Sequence, residues 1–294
     1  MNRFTERRDS EEALAINSFS VSYWVEGELV PAVSNVSFTL QRSERMAIVG
    51  ESGSGKTTLA TAIAGLFPAE TAYIECQTAR IANQDADFSA SGAVIPSSRE
   101  GVSMIFQDAM TSLDPVASVA HQFFAVLTAQ KHMSRGAARK EATEWLDRVG
   151  IPNPRRVLKL RPYELSGGMR QRVMIALALC SRPAVLIADE PTSALDVAVS
   201  QRIMALMLEL TAELRTAIIA ITHDIDLARQ YTDRTLVLSD GEVQDICDTH
   251  ELASPKRSEY TRALLKCVPR LHDYTKEWLP TLVLDRRCSL EAGT

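Results

Sequence analysis

Leu165-Ser166-Gly167-Gly168-Met169-Arg170-Gln171-Arg172 is the stretch whose reading decides this chain. Ser166 is a good helix N-cap, and the paired glycines let another backbone or a ligand come close. Residues 173–180 are almost all apolar, so the helix they continue is expected to be buried. A buried helix with a glycine-lined start offers free N–H groups and a positive dipole end to an anion. Ser-Gly-Gly alone would be read as a plain glycine-rich loop. The whole octapeptide is read differently, because of what stands on either side of it.

Upstream, residues 46–49 form a short apolar run that reads as a strand. Gly50-Glu51-Ser52-Gly53-Ser54-Gly55-Lys56-Thr57-Thr58 follows, and residues 59–66 continue as a helix closed by Gly65. This is G-x-x-x-x-G-K-[ST] in its strand–loop–helix setting. The glycines let the loop wrap phosphates, and its N–H groups with the helix N-terminus meet their charge. Lys56 is expected to reach the β- and γ-phosphates of a nucleoside triphosphate, and Thr57 to ligate Mg²⁺. Downstream, residues 184–188 form an apolar strand ending in Asp189-Glu190. Carboxylates at the C-terminal end of a buried parallel strand sit where open α/β sheets bind ligands. Asp189 fits a Mg²⁺ holder and Glu190 a general base for an attacking water. A further buried-type strand, residues 217–222, leads directly to His223.

Composition narrows the class. The 294 residues can bury a full core, and 46% apolar with 23% charged is ordinary for a globular chain. A net charge of −5 argues against a general nucleic-acid binder. No apolar run approaches the roughly 18 residues of a membrane span. Residues 1–12 are charged, without the apolar core of a secretory signal, and are expected to be a disordered leader. Cys76, Cys180, Cys247, Cys267 and Cys288 are scattered without a Cys-x-x-Cys pair, which favours reduced thiols over disulfides or zinc.

The remaining segments supply the frame. Residues 16–25 and 33–40 read as strands of an antiparallel layer. Residues 70–99 are the least legible and are expected to be a β-layer insert. A strand over 102–106 leads to Gln107, with Asp114 expected as a helix N-cap and Pro115 at the first helical position. Helices are expected over 116–130 and 137–149, with Ala138, Ala142, Trp145, Leu146 and Val149 on one face and Gly150 as the stop. Phe123, Phe124 and Trp145 read as core. Val199, Ile203, Leu206, Met207, Leu210 and Leu214 trace another helical face. Residues 235–246 read as a hairpin about Asp240-Gly241. Tyr260-Thr261-Arg262-Ala263-Leu264-Leu265 has helical texture.

The octapeptide, in this order of motifs, resembles the signature of the ATP-binding cassette (ABC) ATPases, and the resemblance runs from about Ile16 to about Leu271. It implies a P-loop α/β core with an antiparallel β-layer over 13–247, an inserted α-helical subdomain over about 108–165, and a C-terminal extension over 248–294. It implies that Leu165, Ser166, Gly167, Gly168, Met169 and Gln171 contact ATP held by another subunit. Gln107 would touch the Mg²⁺ and attacking-water region, and His223 the γ-phosphate. Tyr23 would stack on adenine, with Trp24 next to it as the competing ring. Ser193-Ala194-Leu195-Asp196 resembles the D-loop at the dimer interface.

Within the family, Phe106-Gln107-Asp108, Met110-Thr111-Ser112-Leu113, Ile187-Ala188-Asp189-Glu190 and the Tyr260–Leu271 tail look like the dipeptide, oligopeptide and nickel import group. One departure is Ala109, where that group usually carries proline. The partners so implied are two permeases, a second and paralogous ATPase, and an extracytoplasmic substrate-binding protein. No nucleic acid is expected. The place implied is the cytoplasmic face of the cell membrane, peripherally bound. Some peptide importers carry a four-cysteine iron–sulfur site in the tail, but only Cys267 and Cys288 stand here, so that cofactor is rejected. Two rivals belong to other classes. A soluble ABC ATPase working on nucleic acid or ribosomes would show coiled-coil inserts, zinc modules or two cassettes, and none is visible. A small-molecule P-loop kinase would explain Lys56 and Asp189 but not the octapeptide.

Overall fold

The computed structural model describes residues 12–67, 71–88, 100–107, 112–131, 133–191 and 196–267. The leader, Asp108–Thr111, the D-loop residues 193–195 and the tail beyond 267 lie outside them.

Two sheets are stacked. β1 (Glu12–Val25) and β2 (Glu28–Gln41) form a long antiparallel hairpin, and Glu26 and Gly27 both take the positive φ that its two-residue turn requires. β4 (Ala72–Glu75) and β5 (Thr78–Ile81) pair antiparallel with successive halves of β1, and β6 (Gln84–Asp85) follows on β5. The expected β-layer therefore takes in 72–85 of the insert.

The second sheet has the order β11-β10-β3-β9-β8-β7. Its strands are β3 (Arg45–Val49), β7 (Val102–Ile105), β8 (Val185–Asp189), β9 (Ala217–Ile221), β10 (Arg234–Ser239) and β11 (Glu242–Asp248). All pairs are parallel except β10 with β11, the hairpin about Asp240-Gly241. Side chains alternate across this sheet. Val185 and Ile187 of β8 join the core beneath the antiparallel layer, with Met46 and Ile48 of β3. Leu186 and Ala188 face the other way, into the helices. Both faces being covered explains why these strands read as continuous apolar runs and not as alternating ones.

The helices are α1 (Lys56–Ala64), α2 (Val119–Lys131), α3 (Arg135–Arg148), α4 (Pro154–Val157), α5 (Gly167–Leu179), α6 (Val197–Leu214), α7 (Ile225–Tyr231) and α8 (Glu259–Lys266). Ala138, Ala142, Trp145, Leu146 and Val149 are buried together, with Phe123 of α2 and the apolar residues of α5. Phe124 is only partly buried against them. This cluster runs without a break onto Ile105, Leu186 and Ala188 of the sheet, so α2 and α3 share a core with α5.

One expected boundary is corrected. The helix expected over 116–130 starts at Val119, not at Pro115. The Asp114 carboxylate accepts from the N–H groups of Val116 (2.9 Å) and Ala117 (3.2 Å), which closes a turn. The first-turn N–H groups of Val119 and Ala120 are satisfied across the fold by the carbonyls of Leu160 and Leu158, both at 2.9 Å. Ser118 adds a local cap, its Oγ accepting from the His121 N–H at 3.3 Å, so local and tertiary partners share the helix start.

Candidate functional site

Parallel pairing puts the C-terminal ends of β3, β9 and β8 side by side. In register, Ile221 of β9 lies between Ile48 of β3 and Asp189 of β8. The residues that leave these three ends, Gly50, Thr222 and Glu190, therefore emerge at one edge. They open into a cleft of about 870 Å³, whose lining includes Tyr23, Lys56, Thr57, Gln107, Glu190 and His223.

The loop between β3 and α1 is folded on its own lysine. Lys56 Nζ donates to the carbonyls of Gly50 (2.9 Å) and Glu51 (2.6 Å) and lies 3.4 Å from Ser54 Oγ. Lys56 is only 8% exposed. Burial lowers its pKa below the ordinary 10.5, against the pull of Glu190, Asp189 and Glu51. A Cβ on Gly50 would sit 2.1 Å from the carbonyl oxygen of Leu238, so the loop leaves the sheet where only glycine fits.

Thr57 Oγ1 donates to Asp189 Oδ2 at 3.0 Å. Burial raises the Asp189 pKa above the usual 3.8, opposed by the Thr57 hydrogen bond and by Lys56, while Glu190 adds to the rise. This pair of hard oxygens beside a phosphate-type loop suits Mg²⁺, which takes one or two protein oxygens and completes its shell with phosphate oxygens and water. Among the described residues no cluster of three His, Cys, Asp or Glu could hold a metal ion.

Glu190 is held from both sides. Its Oε1 is 2.7 Å from His223 Nδ1, and its Oε2 accepts from Gln107 Nε2 at 3.0 Å. Its φ is +45°, a strained setting for a residue with a side chain, of the kind that clusters at functional sites. The Glu190 N–H donates to Ile221 O at 3.0 Å, so the sheet edge holds that strain. Gln107, Glu190 and His223 are 83 and 33 residues apart in pairs, and only the strand order brings them into contact.

Tyr23 and Trp24 point to opposite faces of β1. Tyr23 turns into the cleft, with its hydroxyl 3.0 Å from Thr58 Oγ1 and its ring edge-on to Phe67. Trp24 faces away and is 50% exposed.

The octapeptide divides the same way. Ser166 caps α5, accepting from Met169 N, and Ser166 and Gly167 are exposed with Gly168 half-buried. Leu165 is buried, and Met169 packs partly against the helical core. Gln171 requires a correction. Its side chain is buried and donates to the Pro191 carbonyl of its own chain, so it is not presented to a partner. Its neighbours on the helix surface are apolar core, and the 3.6-residue repeat turns it inward with them.

Sequence reasoning missed Gly241 and Tyr260 as supports of this site. The Gly241 N–H donates to Ser54 O at 3.0 Å, and Gly241 O accepts from Ser34 N at 2.8 Å. The Asp-Gly turn marked the hairpin, but not its contact with the loop. Tyr260 had no local signal, because its partner is 209 residues away.

A phosphate loop on a parallel sheet, facing strand-end carboxylates, defines a P-loop nucleotide-binding protein. The profile described as "ABC transporter" matches residues 33–193, and the chain belongs to that family. It is 40% identical over 272 residues to the glutathione import ATP-binding protein GsiA of Escherichia coli O6:H1, and 39% to that of strain K12. These alignments cover 91% of this chain and 44% of GsiA, so the chain spans less than half the length of these relatives. Among solved structures it is similar to cbiO1 of Clostridium perfringens, part of the ABC transporter complex cbiONQ. There the TM-score is 0.64 at 29% identity, over 84% of this chain and 92% of that one. It is equally similar to the ATP-binding cassette MJ0796 in a dimeric post-hydrolysis state with ADP and Pi. The TM-score is again 0.64 at 29% identity, over 80% of this chain and 98% of that one.

Proposed function

We propose that this chain is the ATP-hydrolysing subunit of an ABC importer for a peptide or peptide-like nutrient, a class that includes nickel chelates. The observation that carries the hydrolytic part is the convergence of Gln107 and His223 on Glu190, beside Lys56 and the Thr57–Asp189 pair. The importer part rests on similarity to glutathione import proteins over 91% of the chain.

In this reading the loop N–H groups and Lys56 bind the β- and γ-phosphates, and Tyr23 stacks on adenine. Thr57 and Asp189 would hold Mg²⁺, with Gln107 beside them, and the ion would offset phosphate charge. Glu190 takes a proton from the attacking water, while Gln107 and His223 keep its carboxylate aimed. Ser166, Gly167 and Gly168 face the ATP of a second ATPase. A two-ATP sandwich pairs this loop and signature with those of a second cassette, which we take to be a paralogue. The helical subdomain over about 108–165 docks on two permeases, and an extracytoplasmic binding protein delivers cargo. Among the described residues no helix is long and apolar enough to cross a membrane, so attachment would be peripheral, through the permeases. The relatives reported above are transport proteins, which favours this reading over an ATPase working on nucleic acid.

The test is uptake of labelled di- and oligopeptides, peptide-like compounds and nickel chelates in a strain lacking the gene. Loss of uptake of at least one compound, restored by the wild-type gene and not by Glu190→Gln, is expected. Unchanged uptake of all of them, with export of some compound lost, would overturn the importer.

A further inference from the structure

The C-terminal segment reaches the phosphate loop through one side chain. Tyr260 of α8 is 5% exposed and packs in a small apolar cluster with Ala47 and Val49 of β3, Val237 of β10 and Ile225. Its hydroxyl accepts from the Glu51 N–H at 3.3 Å. The phenol therefore sits at the end of β3, where the loop begins. The Gly50 and Glu51 carbonyls are the ones that hold Lys56 Nζ. The first peptides of the loop are thus gripped by Lys56 through their oxygens and by Tyr260 through the Glu51 N–H. If Lys56 turns toward phosphate, those carbonyls lose their donor and Tyr260 remains.

Tyr260 is itself well anchored. Ser258 caps α8, its Oγ accepting from Thr261 N at 3.1 Å. Asp245 of β11 accepts from Ser258 N at 2.9 Å and from Thr261 Oγ1 at 2.5 Å. Arg257 lies 3.9 Å from the same carboxylate and 3.1 Å from Glu251. Burial pushes the Asp245 pKa up, but these hydrogen bonds and Arg257 outweigh it and the net shift is downward. A buried hydroxyl on a rigid phenol, itself pinned from a neighbouring strand, suits precise support of a loop.

We propose that Tyr260 is a positioning residue for the phosphate loop, so that residues 249–267 set the affinity for the nucleotide. The proposal rests on the nucleotide-site reading above, and the experiment separates the two. MgATP binding to the full chain is measured by calorimetry for the wild type, Tyr260→Phe and Asp245→Asn, with melting temperature and, in the assembled transporter, kcat and KM. Tyr260→Phe keeps the ring and removes only the hydroxyl. It is expected to weaken MgATP binding about 3- to 10-fold, the worth of one hydrogen bond, and to raise KM while kcat stays within about twofold. Asp245→Asn, which loosens the α8 anchor without touching the loop, is expected to shift affinity the same way and to add little to Tyr260→Phe. If Tyr260→Phe does not fold, the Asp245→Asn affinity decides. A purely structural role would lower melting temperature with affinity unchanged, and that result overturns the proposal. Absence of MgATP binding by the wild type would instead overturn the nucleotide-site reading, and this proposal with it.

Discussion

Glu190→Gln separates the chemistry of this site from its architecture. Among the described residues the carboxylate meets His223 at 2.7 Å and Gln107 at 3.0 Å. An amide of the same shape can serve both. Its oxygen accepts from Gln107, and its NH₂ donates to His223 Nδ1 once the ring carries its proton on Nε2. Neither Gln107 nor His223 is left unpaired, so stability should change by no more than about 1 kcal/mol. Removing the charge also removes repulsion between Glu190 and the nucleotide phosphates, so binding is kept or tightened. What is lost is the base. General-base catalysis contributes about 10²–10⁴ in rate, or about 3–5 kcal/mol. The assay is single-turnover hydrolysis of ATP by the assembled transporter, with melting temperature and ATP affinity measured alongside. Expected are an unchanged fold, retained binding and a hydrolysis rate reduced at least about 100-fold. A rate within about threefold of wild type would refute the base assignment, and with it the meaning given to the Gln107–Glu190–His223 contact.

Further outcomes follow from particular distances. Burial lowers the Lys56 pKa below 10.5, so the free protein sheds that proton early as pH rises. Affinity for ATP, which needs the ammonium, should fall as pH climbs through the lowered value, and Lys56→Ala should bind weakly with that dependence abolished; an identical pH profile in the variant refutes it. A Cβ at Gly168 meets nothing within 4 Å, so Gly168→Asp should melt like wild type yet block ATP-driven closure through repulsion with the partner's bound phosphate. Retention of half the wild-type ATPase rate would remove that sandwich. Gly50→Ala must push against Leu238 O and should cost about 1–3 kcal/mol, as overpacking does, seen as a melting temperature lowered by several degrees; an unchanged melt refutes the packing argument.

The local chemistry was legible in the chain wherever neighbours in sequence are neighbours in space. Gly50–Thr58, the Ser166 cap, the apolar strands ending at Asp189 and Ile221 and the Asp240-Gly241 turn each carry their own signal. The same sequence could not say which way a helical or strand residue turns when both faces are covered. Gln171, inside a motif, faces its own Pro191; Tyr23 and not Trp24 enters the cleft. Nor did it favour Ser118 over Asp114 as the helix cap, because the carbonyls that hold the first turn belong to Leu158 and Leu160. Residue types and motif spacing determined that this protein holds a nucleotide. The strand order β10-β3-β9-β8-β7 decided what surrounds it. Only that order sets His223 and Gln107 on Glu190 and lets Tyr260 touch Glu51, since hydrogen bonds depend on distance in space and not on separation along the chain.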